Sequence, residues 1–195
     1  MHGLRRKTFL GKTLPSALFL TDAGRIPDPL AVIETLPEGS GVIVRDYRAA
    51  EREGLARTLL AACRARGLFC LVGADWRLAL ALGADGVHLP RWAQASPLLM
   101  PRPRRFLVTA AVHSRPELTR AEALKPDALL ISPVFPTKGI AEGETLGLNG
   151  FLKLARAAQA PCYALGGLTR ENARQLPAHP RFLGVAGISI FAKKA

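Results

Sequence analysis

The stretch ALFLTD, Ala17 to Asp22, sets four apolar residues against an abrupt polar end. The same plan returns in GVIVRDY (41–47), FCLVGAD (69–75), DGVHLPR (85–91), LVTAAVHS (107–114), LLISPVF (129–135), CYALGG (162–167) and GVAGIS (184–189). Runs this short, rich in Val, Ile and Leu without strict alternation, suit strands buried on both faces. Parallel sheets place their chemistry at the C-terminal ends of the strands, which is where each run turns polar or admits Gly and Pro.

Between these runs the period becomes helical. In AAEREGLARTLLAACRARG (49–67), Leu55, Leu59, Ala62 and Cys63 share a face and Gly67 supplies a stop. DWRLALALGA (75–84) predicts a two-turn helix, and RPELTRAEALKP (115–126) has Pro near its start and end. NGFLKLARAAQA (149–160) offers Asn149 as a cap, and TRENARQL (169–176) opens on Thr169, whose hydroxyl can cap a helix. Strand and helix alternate through eight strands with no linker or break in composition. This order predicts an α/β fold, a compact (β/α)8 TIM barrel, as one domain over 1–195 with a basic N-terminal extension over 1–16. The 195 residues fall short of the roughly 250 typical of that fold, so some helices, notably around WAQASPLLM (92–100), must be abbreviated. A doubly wound open sheet is the alternative. In a barrel, Asp22, Arg45, Asp75, His88, His113 and Thr137 face one mouth.

Composition narrows the function classes. At 49% hydrophobic residues the chain is set to fold, and no apolar run approaches the roughly 18 residues of a membrane span. The basic opening MHGLRRKTFLGKTLP has too short an apolar continuation for a signal peptide, so the expected location is cytoplasmic. Cys63, Cys70 and Cys162 match no metal-binding spacing and read as reduced core residues. The net charge of +12 is the unusual number; it fits an Arg-rich solvated surface or an anionic ligand. Aromatics are only 6% and do not interleave with the basic residues, which argues against nucleic acid as a partner. A homo-oligomer stays open.

The sharpest local signals are ALGGLTREN and GVAGISI. Gly166 and Gly167 after the seventh strand, with Gly187, Ile188 and Ser189 after the eighth, permit backbone N–H groups to approach an anion closely. Phosphate sites between these two loops recur in the fold. A phosphorylated small molecule is therefore the expected partner.

LFLTD, DWRLALALGADGVHLP, AAVHS, ISPVFPTKG, YALGGLTREN and GVAGIS, in order from Leu18 to Ser189, resemble the thiamine-phosphate synthase superfamily, which includes the related thiazole tautomerases. The most specific block is LALALGADGVHL. The resemblance implies a barrel that handles a thiazole phosphate and, in the synthases, couples it to a pyrimidine diphosphate with loss of pyrophosphate. Carried over residue by residue, it implies catalytic roles for Arg45, Asp75 and Thr137, with Lys138 an approximate substitute beside the phosphate site. It also implies Mg²⁺, of whose ligands only Asp75 remains, so the expected binding is weak.

Several family positions are changed. A lysine has become Tyr47, an amide Ala74, the second metal carboxylate Ala93 and a fifth-strand serine Ala111, while Arg91 and Trp92 stand nearby. Arg91 can neutralise pyrophosphate directly; Trp92 reads as a packed hydrophobe, and Asp22 and Asp46 as loop caps. The histidine that the tautomerases carry before Val-Phe is Pro133 here. His113 remains as a strand-end imidazole able to move a proton, and His88 reads as a hydrogen-bonded wall residue. The leading expectation is a transferase of thiamine biosynthesis with an eroded pyrophosphate site. The alternatives are a catalytically silent phosphate-ligand binder or regulator and a tautomerase-like isomerase.

Overall fold

The computed structural model describes residues 7–9, 11–94, 100–137, 139, 141–176 and 178–192. Eight parallel strands close a barrel: β3 (Ala17–Leu20), β4 (Gly41–Val44), β5 (Phe69–Gly73), β6 (Gly86–Leu89), β7 (Leu107–Val112), β8 (Ala128–Ile131), β9 (Cys162–Leu165) and β10 (Phe182–Gly187). Each strand pairs with its neighbour in sequence, and β10 returns to β3 with Ala186 opposite Leu18. The (β/α)8 reading holds and the open sheet is set aside.

Two-sided burial explains the unbroken apolar runs. Leu18, Leu20, Ile43, Leu71, Leu107, Leu130 and Tyr163 fill the barrel interior. Their neighbours Phe19, Val42, Val44, Cys70, Val72, Val108 and Ile131 point outward beneath the helices. α2 (Arg52–Ala65) covers them with Ala56, Leu59, Leu60 and Cys63; α4 (Arg115–Ala123) adds Leu118 and Ala121; α5 (Gly147–Ala157) adds Phe151, Leu154 and Ala155. All three cysteines are buried and unpaired by disulfide.

The remaining helices are short, as the chain length requires. α1 is Pro29–Ile33, capped by Asp28, and α3 is Trp76–Ala81, capped by Asp75. The expected Asn149 cap is displaced. The Leu146 and Gly147 N–H groups donate to Pro133 and Val134 carbonyls at 2.8 and 3.1 Å, so the helix starts earlier and Asn149 falls inside it. TRENARQL yields only a 3-10 turn, Asn172–Gln175. Thr169 and Asn172 exchange hydrogen bonds (Thr169 N–H to Oδ1 2.8 Å, Asn172 N–H to Oγ1 3.1 Å) and close the segment locally. After β6 the described residues hold a 3-10 turn, Arg91–Ala93; most of WAQASPLLM lies outside them.

The basic N-terminal segment carries an antiparallel hairpin, β1 (Lys7–Phe9) and β2 (Lys12–Leu14), which sits at the barrel floor. Leu14 joins the interior cluster, the Tyr163 hydroxyl donates to the Pro15 carbonyl at 2.6 Å, and Lys12 pairs with Asp127 at 2.9 Å. Asp85 and Asp127 each precede a strand and accept a neighbouring strand's N–H, from Cys70 and Val108, both at 2.8 Å. These carboxylates fix register at the floor and leave the opposite end for chemistry.

Tyr163 is fully buried, and burial pushes its hydroxyl well above the ordinary tyrosine range. Tyr163→Phe strands the buried Pro15 carbonyl and should cost about 1–3 kcal/mol of stability in urea unfolding. A loss below roughly 0.5 kcal/mol, the level of an ordinary surface change, would show that the hairpin is not anchored through this bond.

Candidate active site

At the C-terminal ends of the strands lies a cavity of about 550 Å³. Its wall is built from Leu20 of β3, Arg45 and Tyr47 beyond β4, His88 of β6 with Pro90, Arg91 and Trp92, and Ala111 and His113 at the end of β7. Ser132 and Thr137 follow β8, Leu165 to Leu168 close β9, and Gly187, Ile188 and Ser189 close β10. Arg25 enters from the loop after β3. The structure thus brings together Arg45, His113, Thr137, Gly166, Gly167, Gly187, Ile188 and Ser189. Lys138 lies outside the described residues.

Arg45 is held from three directions. Its N–H donates to Thr21 Oγ1 at 2.9 Å, its Nε to the Thr21 carbonyl at 3.2 Å, and its guanidinium pairs with Asp22. Asp46 accepts from the Thr21 hydroxyl and, at 2.8 Å, from the Ala23 N–H. The acids that close these two runs are thus braces: one orients an arginine and the other pins a loop.

His88 is buried, with Nδ1 2.9 Å from Thr109 Oγ1. Burial, reinforced by the charges of Arg45 and His113, pushes its pKa down to about 3, so it is a neutral wall residue. His113 is placed for exchange. Nδ1 lies 2.8 Å from the Ser132 carbonyl, an acceptor only, so Nδ1 carries the proton and Nε2 is left to face a ligand. The Glu117 carboxylate accepts the His113 N–H at 2.8 Å and fixes this corner.

Gly166 and Gly167 have φ of +95 and +63. A Cβ on Gly167 would meet the Phe135 and Pro136 carbonyls at 2.3 Å, so the loop after β8 packs directly on this turn. The Gly166 carbonyl accepts from Phe135 N–H at 3.1 Å and that of Gly167 from Asn172 Nδ2 at 2.9 Å. Arg25 Nη2 reaches Ser189 Oγ at 3.2 Å, adding a guanidinium to this end. Sequence reading passed over Arg25: a single arginine in a loop of an Arg-rich chain carries no periodicity or motif.

Two expectations are corrected. Trp92 is not a packed hydrophobe; it is 66% exposed at the rim, edge-on to Tyr47 with ring centroids 5.4 Å apart. Tyr47 fits because a Cβ on Gly73 would stand 2.7 Å from its ring, and burial raises its hydroxyl pKa. Asp75 does not line the cavity. One oxygen caps α3 through the Leu78 N–H at 2.9 Å, and the other lies 3.9 Å from Arg52 Nη1. With Ala74 beside it and Ala93 in the turn after the neighbouring β6, the residues present do not fit a Mg²⁺ ion, which is held by one or two free carboxylates together with substrate phosphates and water. Among the described residues, no group of three His, Cys, Asp or Glu side chains gathers to hold a metal.

Fold and mouth together define a barrel protein with a cationic cavity large enough for a small-molecule ligand. Over residues 18–192 the chain matches the family described as thiamine monophosphate synthase, and it belongs to that family. The thiamine-phosphate synthase of Chlorobium luteolum is 32% identical over 186 residues, covering 91% of this chain and 84% of the relative. That of Pyrococcus furiosus is 28% identical over 176 residues, covering 89% and 83%. A solved structure, thiamine phosphate pyrophosphorylase from Pyrococcus furiosus, superposes with a TM-score of 0.69 at 24% identity, covering 91% and 88%, and supports the fold. No helix among the described residues is long and apolar enough to cross a membrane.

The neutral His88 makes stability depend on pH. Unfolded, its imidazole titrates at its ordinary 6.5; folded, near 3, so the unfolded chain takes up the extra proton between these values. Stability from this group is complete above the window and falls as pH drops through it. His88→Gln should flatten the loss in urea midpoint between neutral pH and about pH 5. An unchanged slope would show that His88 is charged in the fold.

Proposed function

We propose that the chain acts in thiamine biosynthesis as a thiamine-phosphate synthase, joining a thiazole phosphate to a pyrimidine diphosphate. The observation that carries this reading is one cavity lined by three arginines and by the glycine turns after β9 and β10. Gly166, Gly167, Ile188, Ser189 and Arg25 line it from the loops after β9, β10 and β3, and Arg45, Arg91 and His113 from the ends of β4, β6 and β7. The first group suits a phosphate monoester, offered backbone N–H groups by flexible residues and a guanidinium. The second suits a leaving diphosphate.

In this reading the bond from the pyrimidine methylene to the diphosphate oxygen breaks, and its electron pair departs on pyrophosphate. The thiazole nitrogen lone pair then forms the new bond to that methylene, giving thiamine phosphate with no net oxidation. Arg45, fixed by Thr21 and Asp22, presents a charge that need not reorganise as pyrophosphate forms. The apolar interior beneath the mouth keeps water from the cation. His113, which lines the same cavity with Nε2 free of the Ser132 contact, is the imidazole that would meet a ring heteroatom.

A second reading, a catalytically silent binder of phosphate ligands, is favoured by one observation: no carboxylate lines the cavity among the described residues. Product assays separate the two. Steady formation of thiamine phosphate and pyrophosphate from both substrates supports the synthase; binding of thiazole phosphate without turnover supports the binder.

Both readings share the phosphate end. Arg25→Ala should weaken binding of the thiazole phosphate roughly tenfold, as expected for one charged hydrogen bond, with the far-ultraviolet circular dichroism unchanged. Affinity within about twofold of the parent would place the phosphate elsewhere.

A further inference from the structure

The diphosphate end of the mouth carries guanidinium groups where a metal site would need acids. The carboxylates nearest to it are already engaged. Asp22 pairs with Arg45, Asp46 holds the loop after β3, and Asp75 caps α3. Glu117 bonds the His113 backbone. Positions 74 and 93 are alanine and offer no ligand.

Arg91 sits differently from the other arginines of the surface. Its side chain is 68% exposed, yet Nη1 lies 3.4 Å from Glu117 Oε1, a carboxylate only 8% exposed. The other Glu117 oxygen is held by the His113 N–H, so the carboxylate is a fixed post. An exposed ion pair contributes little to stability. What this one does is hold a flexible guanidinium at the rim of a cavity that Arg45 also lines, from the end of β4. The exposed ring of Trp92, the next residue, is propped on Tyr47 and also lines the cavity. A guanidinium fork matches phosphate oxygens bidentately and cannot lose its proton near neutral pH.

We infer that Arg91, positioned by Glu117 and acting with Arg45, binds the diphosphate directly, so that this site takes its leaving anion without a divalent cation. The inference rests on the coupling reading above, and its test distinguishes the failure of each. Inorganic pyrophosphate is titrated calorimetrically into the full chain, once in EDTA and once in excess Mg²⁺. Binding should occur in EDTA and be no tighter with Mg²⁺. Arg91→Ala should weaken it roughly tenfold or more in EDTA, the loss of one or two charged hydrogen bonds, and Arg91→Lys should fall between. Binding that requires Mg²⁺ overturns the inference and leaves the coupling reading standing. Binding in EDTA that Arg91→Ala leaves unchanged removes Arg91 from the site and overturns the inference as well. No binding in either buffer overturns both.

Discussion

Every strand of this barrel must be apolar on two sides at once, since one face fills the interior and the other lies under helices. That constraint leaves a strand only its ends for polar groups. At the floor, Asp85 and Asp127 spend their oxygens on the N–H groups of neighbouring strands, and the hairpin brings Leu14 beneath the interior cluster. With the floor sealed, the mouth collects the remaining polarity. Arg45, His88, Thr109, His113 and Ser132 all belong to inward-facing rows that begin in Leu, Gly or Ala deeper down. The chemistry of the site is thus a continuation of the packing pattern, displaced toward the open end.

The acids at the strand ends and in the turns that follow are mostly occupied with holding that mouth in shape. Asp22 orients Arg45, Asp46 ties the first loop to the second strand, Asp75 starts α3, and Glu117 serves both His113 and Arg91. Their negative charge is spent beneath or beside the cationic groups, so the cavity itself presents arginine, imidazole and backbone. A preorganised cationic lining stabilises developing negative charge without the cost of turning solvent dipoles. The tenor of the whole surface, +12 over 195 residues, is consistent with a mouth that attracts anions.

The barrel was legible because two-sided burial writes itself into sequence as short apolar runs, and the residues after each run told where the mouth lies. The two-glycine turn was legible for its flexibility. Its packing against Phe135 and Pro136 was not, because that contact joins segments about thirty residues apart in sequence. Asp75 was legible only in part: a strand-end acid can serve a ligand or cap the following helix, and the Leu78 contact, which shows the cap, is not written in the sequence. Trp92 follows the same lesson. An aromatic after a strand reads as core, whereas here Gly73 leaves room for Tyr47 to support it at the rim. Family membership pointed to the kind of ligand to look for, and the residues at 47, 74, 91 and 93, where this chain departs from the family's pattern, are those on which the proposal for binding it turns.

The most direct test of a cationic mouth that works without a metal is crystallographic. Crystals grown with thiamine phosphate, pyrophosphate and Mn²⁺ should show the ester phosphate against Gly167 and Ser189 and pyrophosphate against Arg45 and Arg91. No anomalous manganese peak should appear between pyrophosphate and the protein. A manganese ion bound through Asp75, with the Leu78 cap broken to release the carboxylate, would contradict the account.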